Sequence, residues 1–265
     1  MRFDAISMQC GAPVKQMAAS GTAINANTLP PLAQLQEVEV DQRLSRLVPS
    51  RFPTVGVFDE LADTEAELRI LFNLEMLTNE RLNAPIGRLE LLPEGSLVTG
   101  RGAHQIMAAW VHCHDDGGRF NDGRLGAWYA SLNVATAIDE TVFHLTKRLS
   151  KSEGGFPQQI QMRELRTHVQ APLVDLTGLQ TTYPELYHHS DYAGSQRFAN
   201  NYRWPFAETG INGLRYNSVR SEGGINVCVF KPQLLSQPII EGSHYQYEWS
   251  ANGEVFIDKM TPLKR

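Results

Sequence analysis

Two adjacent segments in the middle of the chain carry its strongest structural signal, Leu125-Gly-Ala-Trp-Tyr-Ala-Ser131 and Asn133-Val-Ala-Thr-Ala-Ile-Asp-Glu-Thr-Val-Phe-His-Leu-Thr-Lys-Arg-Leu149. The first follows a glycine-rich turn at 117–123 and predicts a strand. The second predicts a helix that begins near Asn133, because apolar residues recur along one face. Those residues are Val134, Ile138, Val142, Leu145 and Leu149. With that stripe facing the core, Glu140 lies roughly opposite it, near Ala137 and His144.

A second helix is predicted upstream. Thr64 and Glu67 have the spacing of a capping box, and apolar residues recur after them at helical intervals. These apolar residues are Ile70, Leu74 and Leu77. The sequence Asn83-Ala84-Pro85 predicts the end of this helix, because the residue before a proline disfavours helical backbone angles.

Short apolar runs elsewhere predict strands at 89–92, 96–99 and 225–230. A C-terminal hairpin is predicted because apolar residues alternate on both sides of Asn252-Gly253. The alternating residues are Tyr245, Tyr247 and Trp249 before the turn, and Val255 and Ile257 after it. Strands and helices do not alternate regularly, so the prediction is a compact α+β domain with a mixed sheet and not a doubly wound fold.

Composition excludes several classes of protein. The 265 residues include 42% hydrophobic and 20% charged residues, which are ordinary values for a globular chain. The net charge is −5 without a long basic run, so an extended surface for nucleic acid is not expected, although a local anion site is compatible with it. Three widely spaced cysteines, Cys10, Cys113 and Cys228, do not form a disulfide framework and fit a reducing compartment. Without a signal peptide or membrane-spanning stretch, the expectation is a soluble cytoplasmic protein.

The glycine-rich segment Gly117-Gly-Arg-Phe-Asn-Asp-Gly123 is the most concentrated group of candidate binding residues. Glycines allow close backbone approach, and the fork of Arg119 can hold a pyrophosphate or a carboxylate through paired hydrogen bonds. The alternative for this segment alone is a surface hairpin with a solvated arginine. Glu140, taken alone, is more typical of a solvated helix face, and a functional role requires that this face line a cleft.

Other chemistries find little support in the sequence. The spacing of His112-Cys113-His114 is too tight for a tetrahedral zinc site, and no further ligands are evident. There is no G-x-S-x-G around a serine, and neither a Walker loop nor a G-x-G-x-x-G fingerprint follows a predicted strand.

An ordered set of short motifs is more specific than any one of them. In chain order they are Arg46-Leu-Val-Pro-Ser-Arg51-Phe-Pro, Leu77-Thr-Asn-Glu-Arg81-Leu, Gly100-Arg-Gly-Ala103, Gly118-Arg-Phe-Asn-Asp-Gly123, Tyr129-Ala-Ser131, Thr136-Ala-Ile-Asp-Glu140-Thr, Asp191-Tyr-Ala-Gly-Ser195, Asn217-Ser-Val-Arg220 and Asn226-Val-Cys-Val-Phe230. This order resembles the RES-domain family over roughly residues 43–235, including the longer N-terminal part of one subgroup. Members of that family are typically toxins of bacterial toxin–antitoxin modules.

The resemblance implies a fold similar to that of ADP-ribosyltransferases and NAD as the substrate, with no metal. By position, Glu140, Arg119, Tyr129 and Ser218 correspond to the family's catalytic residues. Arg46, together with Arg119, Tyr129 and Ser218, corresponds to the residues that bind NAD. Glu140 would stabilise the charged ribose, Arg46 and Arg119 would hold the pyrophosphate or a ribose, Tyr129 would pack on the nicotinamide and Ser218 would orient the amide or a hydroxyl.

The resulting functional hypothesis is a toxin that cleaves the nicotinamide–ribose bond and transfers ADP-ribose to a protein acceptor. Transfer to water or phosphate, which would deplete NAD, is the first alternative, and a non-catalytic nucleotide-binding module is the second. A purely structural interaction protein would have no affinity for NAD. An antitoxin that occludes the active site is the expected partner. The resemblance suggests that this antitoxin is a small helical protein with a helix-turn-helix portion. The sequence is also compatible with an oligomer of this chain.

Three segments are predicted along the chain: an N-terminal extension at 1–42, the NAD-cleaving domain at 43–240 and a C-terminal hairpin at 241–265 packed on that domain. The stretch His104–Asp116 resembles an insertion relative to compact family members. Together with the extension, it is expected to contribute a surface for docking the acceptor.

Overall fold

The computed structural model describes residues 29–52, 61–76, 83–208, 210–237 and 239–261. Within these residues the helices are α1 (Glu65–Met76), α2 (Asn83–Glu90), α3 (Ala103–Val111), α4 (Val134–Leu149) and α5 (Ala193–Tyr202). The strands are β1 (Gln36–Pro49), β2 (Trp128–Ser131), β3 (Gln158–Asp175), β4 (Gly213–Asn217), β5 (Ile225–Val229), β6 (Ile240–Trp249) and β7 (Val255–Met260).

A single sheet joins all seven of these strands in the order β1-β2-β5-β4-β3-β6-β7, and β1 also pairs with β3. The pairing of β1 with β3 is antiparallel and runs from Gln36 opposite Asp175 to Pro49 opposite Met162. β3 and β4 pair in parallel, whereas the other pairs are antiparallel. The sheet is therefore mixed, and β1, β2, β5, β4 and β3 close into a circuit. The predicted α+β class with a mixed sheet is confirmed.

Helices cover the two faces of this circuit. Ile106 and Trp110 of α3 pack with Val227 of β5 on one face, and Trp110 also donates to the carbonyl of Phe230 at 3.0 Å. Phe198 of α5 packs with Cys228 of the same strand on the other face. Because successive strand residues point to opposite faces, β5 contributes to both layers of the core and is buried along most of its length.

α4 packs against β6 and the far end of β1, as its apolar stripe predicts. All five stripe residues contact this third cluster, which also contains Tyr247 and Trp249. Two polar contacts fix the helix to β6: Thr141 Oγ1 with Tyr247 Oη at 2.9 Å, and Trp249 Nε1 donating to Thr146 Oγ1 at 2.8 Å. The face that carries Glu140 is therefore turned away from β6.

Several local predictions are confirmed. Asn133 caps α4 by accepting from the backbone N–H of Thr136 at 2.8 Å. Thr64 and Glu67 form the reciprocal capping box of α1. The strand at 225–230 and the C-terminal hairpin are present, with Tyr247 opposite Ile257 and Trp249 opposite Val255.

The strands predicted at 89–92 and 96–99 are wrong. Leu89 belongs to the last turn of α2, and it is buried with Leu92 in the cluster around α3. Leu97 is buried too, but its backbone N–H donates to Glu65 Oε2 at 3.0 Å and not to a neighbouring strand. A short apolar run indicates only that a segment is buried. Helix ends and irregular segments can be buried as well as strands, so such a run does not identify a strand.

Two other boundaries also differ from the prediction. Asn83-Ala84-Pro85 begins α2, where a proline in the first turn loses no hydrogen bond. The predicted strand at 125–131 starts only at Trp128, because Gly126 donates to the carbonyl of Trp110 at 2.8 Å and packs directly on α3. Ile70 in α1 is exposed, and the predicted stripe residue Leu77 lies outside the described residues.

The stretch that resembles an insertion is largely part of the core. Residues 103–111 form α3, in which Ile106 and Trp110 are completely buried. The buried helix therefore leaves little surface at 103–111, whereas His112, His114, Asp115 and Asp116 are exposed, and a docking role for this stretch stays a prediction. β1 runs across the predicted boundary at 42/43 and β6 across that at 240/241, and the division into three segments stays a prediction. Among the described residues, no helix has the length and apolar character that crossing a membrane requires.

Candidate functional site

Glu140 is held by two side chains that reach it from different elements. Its Oε1 atom accepts a hydrogen bond from Ser218 Oγ, in the loop after β4, and another from Asn226 Nδ2, in β5, each at 2.7 Å. Its side chain is 24% exposed. Among the described residues no hydrogen bond reaches Oε2, and His144 Nε2 lies 4.0 Å from that atom. Two hydrogen bonds thus fix Oε1, while Oε2 accepts none from the described residues.

The loop between β4 and β5 directs Ser218 toward this carboxylate. Ser218 Oγ accepts from the backbone N–H groups of Arg220 and Ser221, each at 3.0 Å, so its single proton is left for Glu140. Gly224 closes the loop against α4, where a side-chain carbon would lie 2.6 Å from Thr136 Oγ1. Glycine is required there because the loop packs directly on the helix.

Asn226 is oriented from β2. Ser131 and Asn226 are direct cross-strand partners, and Ser131 Oγ donates to Asn226 Oδ1 at 2.7 Å. Both side chains are buried. The hydrogen bonds therefore form a chain from Ser131 through Asn226 to Glu140.

Cationic and aromatic side chains surround this carboxylate. Burial lowers the pKa of His144 below its ordinary 6.5, and the nearby Arg220 and Arg119 lower it further, while Glu140 opposes the shift.

Arg220 stacks 3.5 Å from the ring centre of Phe143, and Nη2 of Arg220 donates to the carbonyl of His189. The ring centres of His144 and Tyr192 are 6.5 Å apart. The ring centres of Phe143 and His189 are 5.0 Å apart.

Arg119 reaches the same region from the glycine-rich loop. Its Nη1 atom donates to the carbonyls of Leu186 and His188, each at 3.0 Å, and its guanidinium lies 4.7 Å from the ring centre of Tyr192. The side chain is 7% exposed. Part of the predicted anion-binding fork is thus committed to the backbone that precedes Tyr192.

Tyr129 ties the same loop to β2. Its hydroxyl accepts from the N–H of Phe120 and donates to Asn121 Oδ1, both at 2.8 Å. Burial raises its pKa well above the ordinary value, so the hydroxyl stays protonated. Gly118 is needed for this approach, since a side-chain carbon there would lie 2.7 Å from Asn121 Oδ1 and 2.9 Å from the hydroxyl.

Arg46, in β1, lies on the backbone side of Tyr129. Its Nη1 atom donates to the carbonyl of Tyr129 at 3.0 Å, and its guanidinium stacks 4.9 Å from the ring centre of Trp128. Burial lowers its pKa to about 10, which leaves it charged at neutral pH. In this position it positions β2.

The predicted site residues therefore fall into two connected groups. Glu140 and Ser218 are in direct contact, while Arg119, Tyr129 and Arg46 are joined through the glycine-rich loop and β2. Tyr192 links the groups, because it contacts both Arg119 and His144. The proton of Ser218 is used on Glu140, which differs from the expected contact with the amide or a hydroxyl of NAD. The assignment of these residues as catalytic or NAD-binding stays a prediction.

Sequence reasoning gave no role to several residues that contact Glu140 or line its surroundings. His144 follows Glu140 by one helical turn, and that spacing is the signal that places the two together. Ser131, Tyr192, Arg220 and Asn226 all lie within the quoted motifs, but nothing local in those motifs indicates their partners. Within the residues described, no three His, Cys, Asp or Glu side chains converge as metal ligands, and the metal-free reaction stays a prediction.

Comparison with known proteins shows similarity to a family model, to a curated protein and to a solved structure. A family model described as the RES domain matches residues 97–250, more than half of the chain. The uncharacterised protein y4oC of Sinorhizobium fredii is 27% identical over 216 residues, which cover 82% of this chain and 86% of that protein. A chain in the crystal structure of the M. tuberculosis MbcT–MbcA toxin–antitoxin complex matches with a TM-score of 0.41 at 11% identity, covering 82% of this chain and 88% of that chain. The family match includes Arg119, Tyr129, Glu140 and Ser218 and leaves Arg46 outside.

Proposed function

Because this chain belongs to the RES-domain family, we propose that it is the toxin of a bacterial toxin–antitoxin pair and that its substrate is NAD. In this proposal it cleaves the nicotinamide–ribose bond and transfers ADP-ribose to a protein acceptor. Family membership supports the toxin role, since members are typically such toxins. The residues around Glu140 support the reaction.

The observation that carries the proposal is the carboxylate of Glu140, with Oε1 held by two donors and Oε2 free of hydrogen bonds from the described residues. Nicotinamide leaves NAD as a neutral molecule and needs no proton. The difficult species is the oxocarbenium-like ribose that remains, as in glycoside cleavage generally. A fixed carboxylate oxygen beside that sugar offsets the developing positive charge without reorganising during the reaction.

The groups around the carboxylate suit the rest of this substrate. The nicotinamide of NAD is cationic, and aromatic faces such as those of Tyr192 and Phe143 attract cations. Arg220 and Arg119 supply positive charge for the pyrophosphate. We assign Tyr129 and Arg46 the task of holding the loop and strand that carry these groups, because their polar atoms contact the protein's own backbone.

The bond changes balance without an added oxidant or metal. The bond between ribose C1′ and the nicotinamide nitrogen breaks, and its electron pair leaves with nicotinamide. The acceptor nucleophile forms a new bond to C1′. Its proton passes to solvent or to His144, whose lowered pKa favours the neutral imidazole that can accept it.

Depletion of NAD is a second candidate, favoured by one observation. The helix α3 fills much of the stretch that was expected to dock a protein acceptor, and its large side chains are buried. A smaller acceptor, water or phosphate, needs no such surface. In that case ADP-ribose or its phosphate adduct is released into solution.

Incubation with NAD labelled in the adenosine part tests both candidates. The purified protein and its Glu140→Gln variant are incubated with and without bacterial lysate, and nicotinamide release and protein-bound label are measured. We expect release by the native protein and its loss in the variant. Label on a discrete protein band supports transfer to protein, label only in free products supports depletion, and equal, negligible release by both proteins would contradict NAD cleavage.

The antitoxin proposal is tested separately. The native operon is expressed with an affinity tag on this chain, and co-purifying proteins are identified. We expect a small helical partner that suppresses nicotinamide release when it is added back in equimolar amount. Growth inhibition by this chain that an adjacent gene product does not relieve would contradict the pairing.

A further inference from the structure

We propose that Ser131 and Asn226 are positioning residues that aim the free oxygen of Glu140 at the substrate. This inference rests on the proposed cleavage of NAD for its kinetic consequences, but the hydrogen-bond chain itself can be tested without substrate. Neither residue received a role from the sequence.

The direction of each hydrogen bond follows from the groups involved. An ionised carboxylate only accepts, so the Nδ2 end of Asn226 must face Glu140 and its Oδ1 end must face Ser131. An amide oxygen also only accepts, so the proton between Ser131 and Asn226 must come from the serine hydroxyl. A rotated amide would place its oxygen against Glu140 Oε1, with two acceptors opposed.

The sheet holds this chain in register. Ser131 ends β2 directly opposite Asn226 in β5, and the two residues are only 2% and 3% exposed. Solvent therefore cannot readily replace either partner. Ser218, in the loop between β4 and β5, donates to the same oxygen. Two donors therefore hold the carboxylate at Oε1, and Oε2 remains available to the substrate.

The inference predicts a loss in turnover and not in binding. Asn226→Ala removes one charge-assisted hydrogen bond, and kcat for nicotinamide release is expected to fall roughly 10- to 100-fold with little change in KM. Ser131→Ala leaves the amide in place but unoriented, and roughly a 3- to 10-fold fall in kcat is expected. Asn212→Ala is the matched control. The side chain of Asn212 donates to the carbonyl of Pro172 at 3.1 Å and makes no hydrogen bond to Glu140.

A pH profile separates positioning from a general loss of packing. In Asn226→Asp, the protonated acid still donates to Glu140, whereas the ionised acid repels it. The ratio of variant to native kcat is therefore expected to fall as pH rises. Taking the ratio removes the contributions of the titratable and charged groups that face Glu140 in both proteins, namely His144, His189, Tyr216 and Arg220. A ratio independent of pH would overturn the inference.

Side-chain amide NMR tests the chain without NAD. In the native protein the amide protons of Asn226 are expected to exchange with water much more slowly than those of the more accessible Asn212, and Ser131→Ala is expected to accelerate that exchange. Rapid exchange in the native protein, or equal kinetics for Asn226→Ala and Asn212→Ala, would overturn the positioning role. Absence of nicotinamide release by the native protein would instead contradict the proposed function, and the exchange rates would then decide the inference alone.

Discussion

The acidic and basic sides of the candidate site are built in opposite ways. On the acidic side, Ser218 and Asn226 hold one oxygen of Glu140 and leave the other free. On the basic side, Arg119 and Arg46 direct hydrogen bonds to carbonyl groups of the protein itself, and the hydroxyl of Tyr129 binds the glycine-rich loop. The protein thus leaves one oxygen of the carboxylate free and uses Arg119 and Arg46 to fix the surroundings.

A motif residue can thus act by contact with the substrate or by support of the fold, and its burial and hydrogen-bond partners distinguish the two roles. Changes on the acidic side should reduce turnover while the fold persists. Changes on the basic side should reduce the free energy of unfolding, with loss of activity as a consequence.

The largest effect is expected for Glu140→Gln. The amide preserves the shape but removes the negative charge, and nicotinamide release is expected to fall by roughly 100- to 1,000-fold, the size typical for loss of one electrostatic contact to the reacting centre. Asp139→Asn, at the exposed neighbouring position of α4, is the matched control and should leave the rate unchanged. A large fall in melting temperature for Glu140→Gln would contradict the contrast between the two sides, because it would make the carboxylate a structural group.

Arg119→Ala tests the basic side most directly. It leaves two carbonyls without a partner and removes a stacked cation, so a loss of about 2–4 kcal/mol in the free energy of unfolding is expected. Urea denaturation of the variant and of Arg197→Ala, an exposed arginine of α5, measures the difference. Native stability combined with a large rise in KM would show instead that Arg119 acts by binding substrate alone and does not support the fold.

A smaller loss is expected for Tyr129→Phe. The N–H of Phe120 and the side chain of Asn121 each lose a partner, at a cost of about 1–3 kcal/mol. The kinetic effect on nicotinamide release should be smaller than that of Glu140→Gln. If Tyr129→Phe matches Glu140→Gln in lost turnover at unchanged stability, the hydroxyl of Tyr129 belongs to the reacting groups.

The smallest effect concerns pH. Partial desolvation and the nearby Arg220 and Arg119 lower the pKa of His144 and His189 below 6.5, so in the window below 6.5 the unfolded chain binds more protons than the folded one. Stability should therefore fall as pH drops through that window and rise as pH increases toward 7. Thermal unfolding of the native protein and of His144→Gln at pH 5 and pH 7 checks this, and the variant should show the weaker dependence. An equal slope would show that His144 does not interact with these charged groups.

The sequence predicts those features that depend on local spacing. The helix at 134–149, its cap at Asn133 and the position of Glu140 opposite the apolar stripe follow from a period of 3.6 residues over several turns. The C-terminal hairpin follows from alternation on both sides of Asn252-Gly253. Each of these patterns is long enough to distinguish helix from strand.

Other features depend on partners that are distant in the chain. Leu97 is irregular and not a strand because Glu65 takes its backbone N–H, and Arg119 is bound by carbonyls at 186 and 188. No local pattern encodes such contacts. The alignment of Ser131 with Asn226 likewise depends on strand pairing, which sets the register only after the sheet has formed.

The circuit of strands has a consequence for where the chain can be shortened. The family match begins at residue 97, downstream of β1, yet β1 covers one side of β3 from Met162 to Asp175 and supplies Arg46. A fragment restricted to the matched range would leave that long backbone edge with open donors and acceptors, a template for aggregation. The smallest fragment able to fold alone must therefore include the strand at 36–49. The segment that matches the family model is thus shorter than the unit that folds.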